Sequence, residues 1–172
     1  TAADVALIAD QTGGVVTSTV TVGTDTLTDL IAALDPVSGG ADGLDALSIS
    51  LVDTVATAAG LNKLNTLTAT SIDADTVGSV SGTIAELGAL LDAQQASGQI
   101  SLGATTVDIT VNSDQTASTP SLSDIATLVS EMRTASSLIG KITASVHGAV
   151  SASDAASLLT TAATDAITIN LS

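Results

Sequence analysis

Apolar residues recur at helical spacing in three stretches, each of which follows a hydroxyl residue and, three positions later, a carboxylate. These pairs are Thr26 with Asp29, Thr83 with Glu86, and Ser151 with Asp154. The spacing is typical of a capping box, in which the hydroxyl accepts from the first free amides and the carboxylate lies in the positive first turn. The pattern therefore predicts three amphipathic helices that begin at these hydroxyl residues.

Two further helices are predicted from related signals. Ser121 and Asp124 repeat the capping spacing directly after Pro120, and an apolar stripe follows them. A fifth helix is predicted between Val55 and Leu67, where leucines recur at helical spacing but no capping pair precedes them.

A second pattern, in which apolar residues alternate with Ser, Thr or Asn, lies between the predicted helices. This alternation is typical of strands with one buried face. The stretch "DVALIADQT" at 4–12 matches "DITVNSDQT" at 108–116 in its first aspartate, in its apolar residues Val5 and Leu7, and in the closing "DQT", so both are predicted to be strands. The remaining predicted strands are 16–22, 47–54, 68–80, 142–146 and 166–172.

Strands that alternate with helices predict an α/β fold of repeated short β–α units with a largely parallel sheet. Because one strand face is rich in Ser and Thr, the helices are expected mainly on the other face, in a solenoid-like arrangement. The chain is interpreted as one repeat-built domain, 1–172, with internal repeats of about 16–75, 76–145 and 146–172. The alternative is an all-β repeat domain.

Composition limits the kind of core and the classes of partner that this chain can have. The 172 residues are 45% hydrophobic yet include no aromatic residue and no cysteine, so the core must be aliphatic and disulfides are excluded. The formal net charge of −15 argues against nucleic-acid partners, which need cations to neutralise phosphates. No apolar run approaches the length of a membrane span, so membrane insertion is not expected.

Candidate chemistry is sparse. His147 is the single imidazole, and without cysteine or a second histidine it supports neither a catalytic triad nor a zinc site. The chain is therefore not expected to be an enzyme, and no cofactor is predicted. Loop aspartates could bind Ca²⁺ through their oxygens, although solvated loop charges are the preferred interpretation. The calcium candidates are Asp42, Asp45, Asp73 and Asp75.

The elements "ITVNSDQT…LSDIATL" and "VSGTIAELGALLD" resemble the Ala/Thr/Asp-rich β–α repeats of very large secreted bacterial, often cyanobacterial, adhesin-like surface proteins. The resemblance covers about 16–172. It implies an extracellular or cell-surface location and a structural or adhesive role, and it carries over no catalytic residues.

These observations favour an extracellular structural protein that self-assembles head to tail into a filament, sheath or surface layer. The alternative is a repeat module of a cell-surface adhesin that binds a surface glycan or a calcium-bridged partner. Sugar sites usually stack rings on aromatic side chains, which this chain lacks. The predicted assembly residues lie in the first and last predicted strands: Val5, Leu7, Ile167, Ile169 and Leu171.

Overall fold

The computed structural model of the chain describes residues 1–12, 14–20, 26–35, 45–96, 98–103, 106–112, 121–135, 139–147 and 165–170. Within these ranges the chain forms five helices and nine strands, and all strand pairs are parallel. The fold is therefore α/β, as the alternation of patterns predicts. The all-β alternative is wrong, because the capped apolar stripes form helices.

The helices begin where a hydroxyl residue caps the first turn. Their bounds are α1 Ala2–Gln11, α2 Leu27–Leu34, α3 Ala58–Asn65, α4 Ile84–Ala96 and α5 Leu122–Ala135. The cap of α3 is Thr57, whose hydroxyl accepts from Gly60 N at 3.1 Å. Position 60 carries no carboxylate, so α3 shows only half of the capping-box signal in the sequence.

The strands form two sheets. Their bounds are β1 Thr17–Val20, β2 Ala46–Ser50, β3 Val55–Thr57, β4 Ile72–Asp73, β5 Ser79–Gly82, β6 Ile100–Ser101, β7 Val107–Val111, β8 Ile139–His147 and β9 Ala166–Asn170. Sheet I has the order β1-β2-β4-β6, and sheet II has the order β3-β5-β7-β8-β9. The sequence predicts one largely parallel sheet, whereas the structure has two parallel sheets.

The elements between Ala46 and Ala135 follow a fixed order: a strand of sheet I, a strand of sheet II, then a helix. This order occurs as β2-β3-α3, β4-β5-α4 and β6-β7-α5. Each element lies beside its counterpart in the next unit, and the five helices form a row in chain order. The solenoid-like character of the whole chain stays a prediction.

One aliphatic core fills the space enclosed by the sheets and the helix row. Equivalent strand positions in successive units place side chains in register: Ile49 beside Ile72 and Ile72 beside Ile100 in sheet I. All three are at most 2% exposed. Narrow, regularly stacked elements allow Leu, Ile, Val and Ala to fill this core without aromatic rings.

The prediction of a strand at 4–12 is wrong, because 4–11 belong to α1 and Thr12 is its C-cap. Thr1 and Asp4 form a capping box that starts the helix. Val5, Leu7 and Ala9 alternate as in a strand, but the buried residues of the helix are Ala2, Val5, Ala6 and Ala9. That spacing is helical, so cap and periodicity together outweigh the resemblance to 108–116.

The prediction of one strand over 68–80 is also wrong. Two short strands, β4 in sheet I and β5 in sheet II, are joined by a corner that includes Asp75 and Thr76. The Thr76 hydroxyl donates to the carbonyls of Leu51 and Asp53, at 2.9 and 3.0 Å, and so ties this corner to the corner of the preceding unit.

The helix predicted to begin at Ser151 lies outside the described residues. Among the helices that the structure describes, none combines the length and apolar character needed to cross a membrane.

Candidate functional site

Two of the calcium candidates, Asp73 and Asp75, lie on the exposed side of sheet I and are hydrogen-bonded to each other and to neighbouring strands. Asp73 accepts from the Ser50 hydroxyl at 3.0 Å and from Asp75 N at 3.1 Å. Asp75 accepts from the Ser101 hydroxyl at 2.9 Å. These bonds cross from β2 to β4 and from the corner to β6, so the two carboxylates link three consecutive strands.

Asp45 is buried, unlike a calcium-binding loop residue open to solvent. Its Oδ1 accepts from Val16 N at 2.7 Å, which joins the start of β2 to the start of β1. Asp42 lies outside the described residues. In the described ranges, no group of three or more His, Cys, Asp or Glu side chains is placed to hold a metal ion.

Asp165 joins the start of β9 to β8, in the same way that Asp45 joins the start of β2 to β1. The sequence analysis did not identify Asp165 as a functional residue. Its Oδ1 accepts from Ile142 N of β8 at 2.9 Å and from Arg133 at 2.6 Å, and only 1% of the side chain is exposed. The signal was present in the sequence, since "DALSISL" at 45–51 and "DAITINL" at 165–171 share an aspartate directly before the strand.

The carboxylates at the helix starts have a capping role. Asp29 accepts from the hydroxyl and the backbone N–H of Thr26, and these bonds lower the pKa of the Asp29 carboxyl. Bonds from Thr1 lower the pKa of Asp4 in the same way. Glu86 accepts from Thr83 N at 2.8 Å, as the capping spacing predicts. The hydrogen bonds of these three carboxylates are therefore explained by their position at the helix starts.

The outward faces of both sheets carry rows of hydroxyl groups. In sheet II, Thr57, Ser81, Thr110 and Thr143 lie side by side on four adjacent strands. Parallel strands are about 4.8 Å apart, so the row presents hydroxyls at that interval. These rows make both faces polar, as the alternation in the sequence indicates.

The last described strand, β9, has a partner along one edge. It pairs with β8, and no other strand in the described ranges pairs with it. Ile167, one of the predicted assembly residues, is half-buried against the core. The side chain of Ile169 and all of Leu171 lie outside what the structure describes. An open strand edge offers unpaired N–H and C=O groups to another strand.

Two other predicted assembly residues, Val5 and Leu7, lie on different sides of α1, the first described helix of the row. Val5 is buried in the core, whereas Leu7 is 66% exposed and lines a shallow groove between α1 and α2. The groove has a volume of about 320 Å³ and is lined by Ala3, Ala6, Leu7, Asp10 and Ala33. Val5 and Leu7 would share a face on a strand, but on a helix they do not.

Ile8 is the residue of α1 that strand-based reasoning missed. Its side chain is 53% exposed. It belongs to a set of five large aliphatic residues that are exposed in the described part of the chain: Leu7, Ile8, Val15, Val52 and Val55. All five precede α3, so the large exposed aliphatic side chains that the structure describes lie in the N-terminal third.

The described residues thus present three separate surfaces suited to association: the edge of β9 that pairs with no other described strand, the exposed aliphatic residues of α1, and the hydroxyl-rich sheet faces. Comparisons with known protein families, with curated proteins and with solved structures find no match to this chain.

Proposed function

We propose that this protein is an extracellular structural protein that assembles head to tail into a filament, sheath or surface layer, with no catalytic role. The observation that carries the proposal is the one-sided pairing of β9 in an all-parallel sheet. In sheet II each inner strand is paired along both edges by strands of neighbouring units. A further copy can therefore extend the sheet by the same parallel pairing.

The two ends of sheet II make such a contact heterologous. β9 is the outermost described strand at one edge and β3 at the other, so an edge-to-edge contact between copies joins different surfaces. A heterologous contact propagates into a filament when its rotation does not close a ring. Strand donation, in which the last strand leaves one copy and joins the next, uses the same pairing.

The extracellular location rests on composition and on the resemblance to secreted repeats. Small side chains dominate, cysteine is absent, and methionine occurs once. Such a chain is sparing in sulfur and nitrogen, which suits a protein made in bulk and released from the cell. The net charge of −15 keeps concentrated protein soluble before assembly.

The hydroxyl rows on the outward faces favour a second candidate, a module of a cell-surface adhesin. Rows of Ser and Thr can hydrogen-bond a surface glycan, and the carboxylates of Asp73 and Asp75 lie on the same side of sheet I as Ser50 and Ser101. The structural role is preferred because the chain has no aromatic ring on which a sugar could stack.

Electron microscopy and light scattering over a range of protein concentrations test the proposal. We expect ordered polymers above a threshold concentration. Thr168→Lys places a charge on the exposed side of β9, where edge lysines oppose strand addition, and should raise that threshold. Thr134→Lys adds the same charge to an exposed position at the end of α5 and serves as the matched control.

Monodisperse monomers at every concentration would overturn the structural role and favour the adhesin module. In that event, retention of the monomer on an immobilised glycan array is the next measurement. If both lysine variants assemble like the unmodified chain, β9 is not the joining strand.

A further inference from the structure

Neighbouring helices of the row can be compared junction by junction when each helix is numbered from its cap residue as position 0. The caps of α1, α2 and α3 are Thr1, Thr26 and Thr57. At the junction of α2 and α3, position 5 of the first helix is Ile31, which is half-buried against the core. Position 7 of the second helix is Leu64, which is 0% exposed. This junction therefore has a large aliphatic residue at both positions.

The groove between α1 and α2 has alanine at both of these positions. Ala6 holds position 5 of α1 and Ala33 holds position 7 of α2, and both line the groove of about 320 Å³. Its depth thus comes from small side chains on two described helices. The volume is at the lower end of the range for small-molecule sites, which suits an inserted side chain better than a whole cofactor.

The two junctions differ in charge in the same way. Asp35, at position 9 of α2, pairs with Lys63, at position 6 of α3, with 2.5 Å between Oδ1 and Nζ. At the groove, Asp10 holds position 9 of α1, but position 6 of α2 is Ala32. Within the described residues Asp10 accepts from Gln11 Nε2 at 3.3 Å and forms no ion pair. The groove therefore lacks both the cation and the aliphatic side chain that α3 supplies to α2.

We propose that this groove binds a cationic amphipathic helix of another protein, which inserts aliphatic side chains between α1 and α2 and places a lysine or arginine beside Asp10. In helix-in-groove recognition, apolar anchors on one face of the bound helix provide the contact. The bound helix would supply from outside what Lys63 and Leu64 supply at the next junction. This surface is separate from the edge of sheet II, so the inference goes beyond the proposed assembly and does not depend on it.

Charge complementarity favours a cationic partner over a second copy of this chain. Residues 1–62, which include both helices of the groove, contain no lysine, arginine or histidine. Opposite charges speed the encounter of two proteins, and like charges disfavour it. A second copy has a net charge of −15, and two of its three cations, Lys63 and Arg133, are already in ion pairs. A helix with its own lysines or arginines meets no such repulsion.

The double variant Ala32→Lys/Ala33→Leu gives α2 the Lys-Leu pair of α3, so that the chain fills its own groove. The probe is a helical peptide of leucine and lysine with one apolar face and one tryptophan, whose fluorescence has no background because the chain lacks aromatic residues. We expect the double variant to weaken peptide binding roughly tenfold or more, without lowering the thermal midpoint. Ala89→Lys, at the exposed position 6 of α4, is the matched control and should weaken binding about threefold or less.

Asp10→Asn and Asp92→Asn form a second matched pair, which does not require the groove to accept a larger side chain. Both remove one negative charge at position 9 of a helix, in α1 and in α4, and only Asp10 lines the groove. Asp10→Asn should weaken binding of the peptide about threefold, and Asp92→Asn should have a smaller effect.

Equal affinities of the peptide for the unmodified chain, the double variant and Asp10→Asn would overturn the inference. Equal binding of a scrambled peptide, which has the same composition but no apolar face, would also overturn it, because charge alone would then explain the binding. So would a peptide that does not bind the unmodified chain. If the double variant stops polymerising but still binds the peptide, the groove is a contact between copies and the inference is wrong.

Discussion

Hydroxyl–carboxylate pairs mark the starts of four of the five described helices. Thr26 and Asp29 form a reciprocal capping box, and Thr83 and Glu86 exchange the same two bonds. These are local contacts between residues three positions apart, so they can be read from the sequence. Thr1 and Asp4 carry the same signal, but a strand-like alternation obscured it.

Replacing Thr83 by Ala should remove the hydroxyl that accepts from Glu86 N and destabilise the fold by about 1 kcal/mol. Urea unfolding measures the difference. Thr127→Ala, at an exposed position in the middle of α5, is the control and should be neutral or slightly stabilising, because Ala has the higher helix propensity. Equal midpoints for Thr83→Ala and the unmodified chain would contradict a capping role.

The lowered pKa of Asp29 predicts a pH-dependent contribution from its cap. Its hydrogen bonds to Thr26 hold the folded-state pKa below the ordinary value of 3.8, so the charged form stabilises the fold at neutral pH. This contribution is lost as the pH falls below 3.8 and through the lower folded-state pKa. Asp29→Asn should therefore be less stable than the unmodified chain at neutral pH, and the gap should close in acid. Urea midpoints that stay equally far apart at every pH would count against it.

Substitutions at two glycines distinguish the steric effect of a close backbone contact from the effect of helix propensity. A Cβ at Gly103 would lie 2.6 Å from the carbonyl oxygen of Asp75, too close for the backbone to accommodate without a shift. At Gly88, inside α4, a Cβ would meet nothing within 4 Å. Gly103→Ala should destabilise by about 2 kcal/mol or more, whereas Gly88→Ala should stabilise by about 0.5–1 kcal/mol. Thermal unfolding measures both effects, and a Gly103→Ala midpoint equal to or above that of the unmodified chain would disprove the close approach.

At the scale of elements, buried carboxylates hold neighbouring strands in register. Asp45 joins the start of β2 to that of β1, and Asp165 joins β9 to β8 while pairing with Arg133 of α5. Only the aspartate before each strand is visible in the sequence. Its partner is a backbone amide more than twenty residues away, so the bond depends on strand pairing.

Asp165→Asn should destabilise the fold by about 2–3 kcal/mol, because it leaves the partly buried Arg133 without its ionic partner. The matched substitution Asp35→Asn breaks the pair with Lys63, in which both side chains are more than 40% exposed, and should cost about 0.5 kcal/mol or less. The difference between the two urea midpoints is the readout. Similar small effects would show that Asp165 does not anchor β9.

At the scale of the whole molecule, the acidic charge is spread over caps, strand starts and exposed corners. Asp73 and Asp75 bond hydroxyl and amide donors on the exposed side of sheet I, and Asp45 accepts from a backbone amide. These bonds account for carboxylates that spacing alone makes candidates for calcium. We therefore prefer a structural role for these aspartates over calcium binding.

A chelator should leave the thermal midpoint unchanged apart from the effect of ionic strength, and added Ca²⁺ should act no differently from the same concentration of Mg²⁺. Differential scanning fluorimetry with an external dye suits a chain that lacks tryptophan and tyrosine. A fall of several degrees on chelation, reversed by Ca²⁺ but not by Mg²⁺, would favour the calcium-bridged adhesin.

The sequence by itself determined the α/β class, the parallel pairing, the aliphatic core and the helix starts at Thr26, Thr83 and Ser121. These follow from periodicity and capping, which involve residues only a few positions apart. The tertiary structure decided that 4–11 is helical, that 68–80 bends between two sheets, and that Asp45 is buried while Ile8 is exposed. Burial at these positions is set by contacts with units distant in the chain, which local periodicity and capping do not report.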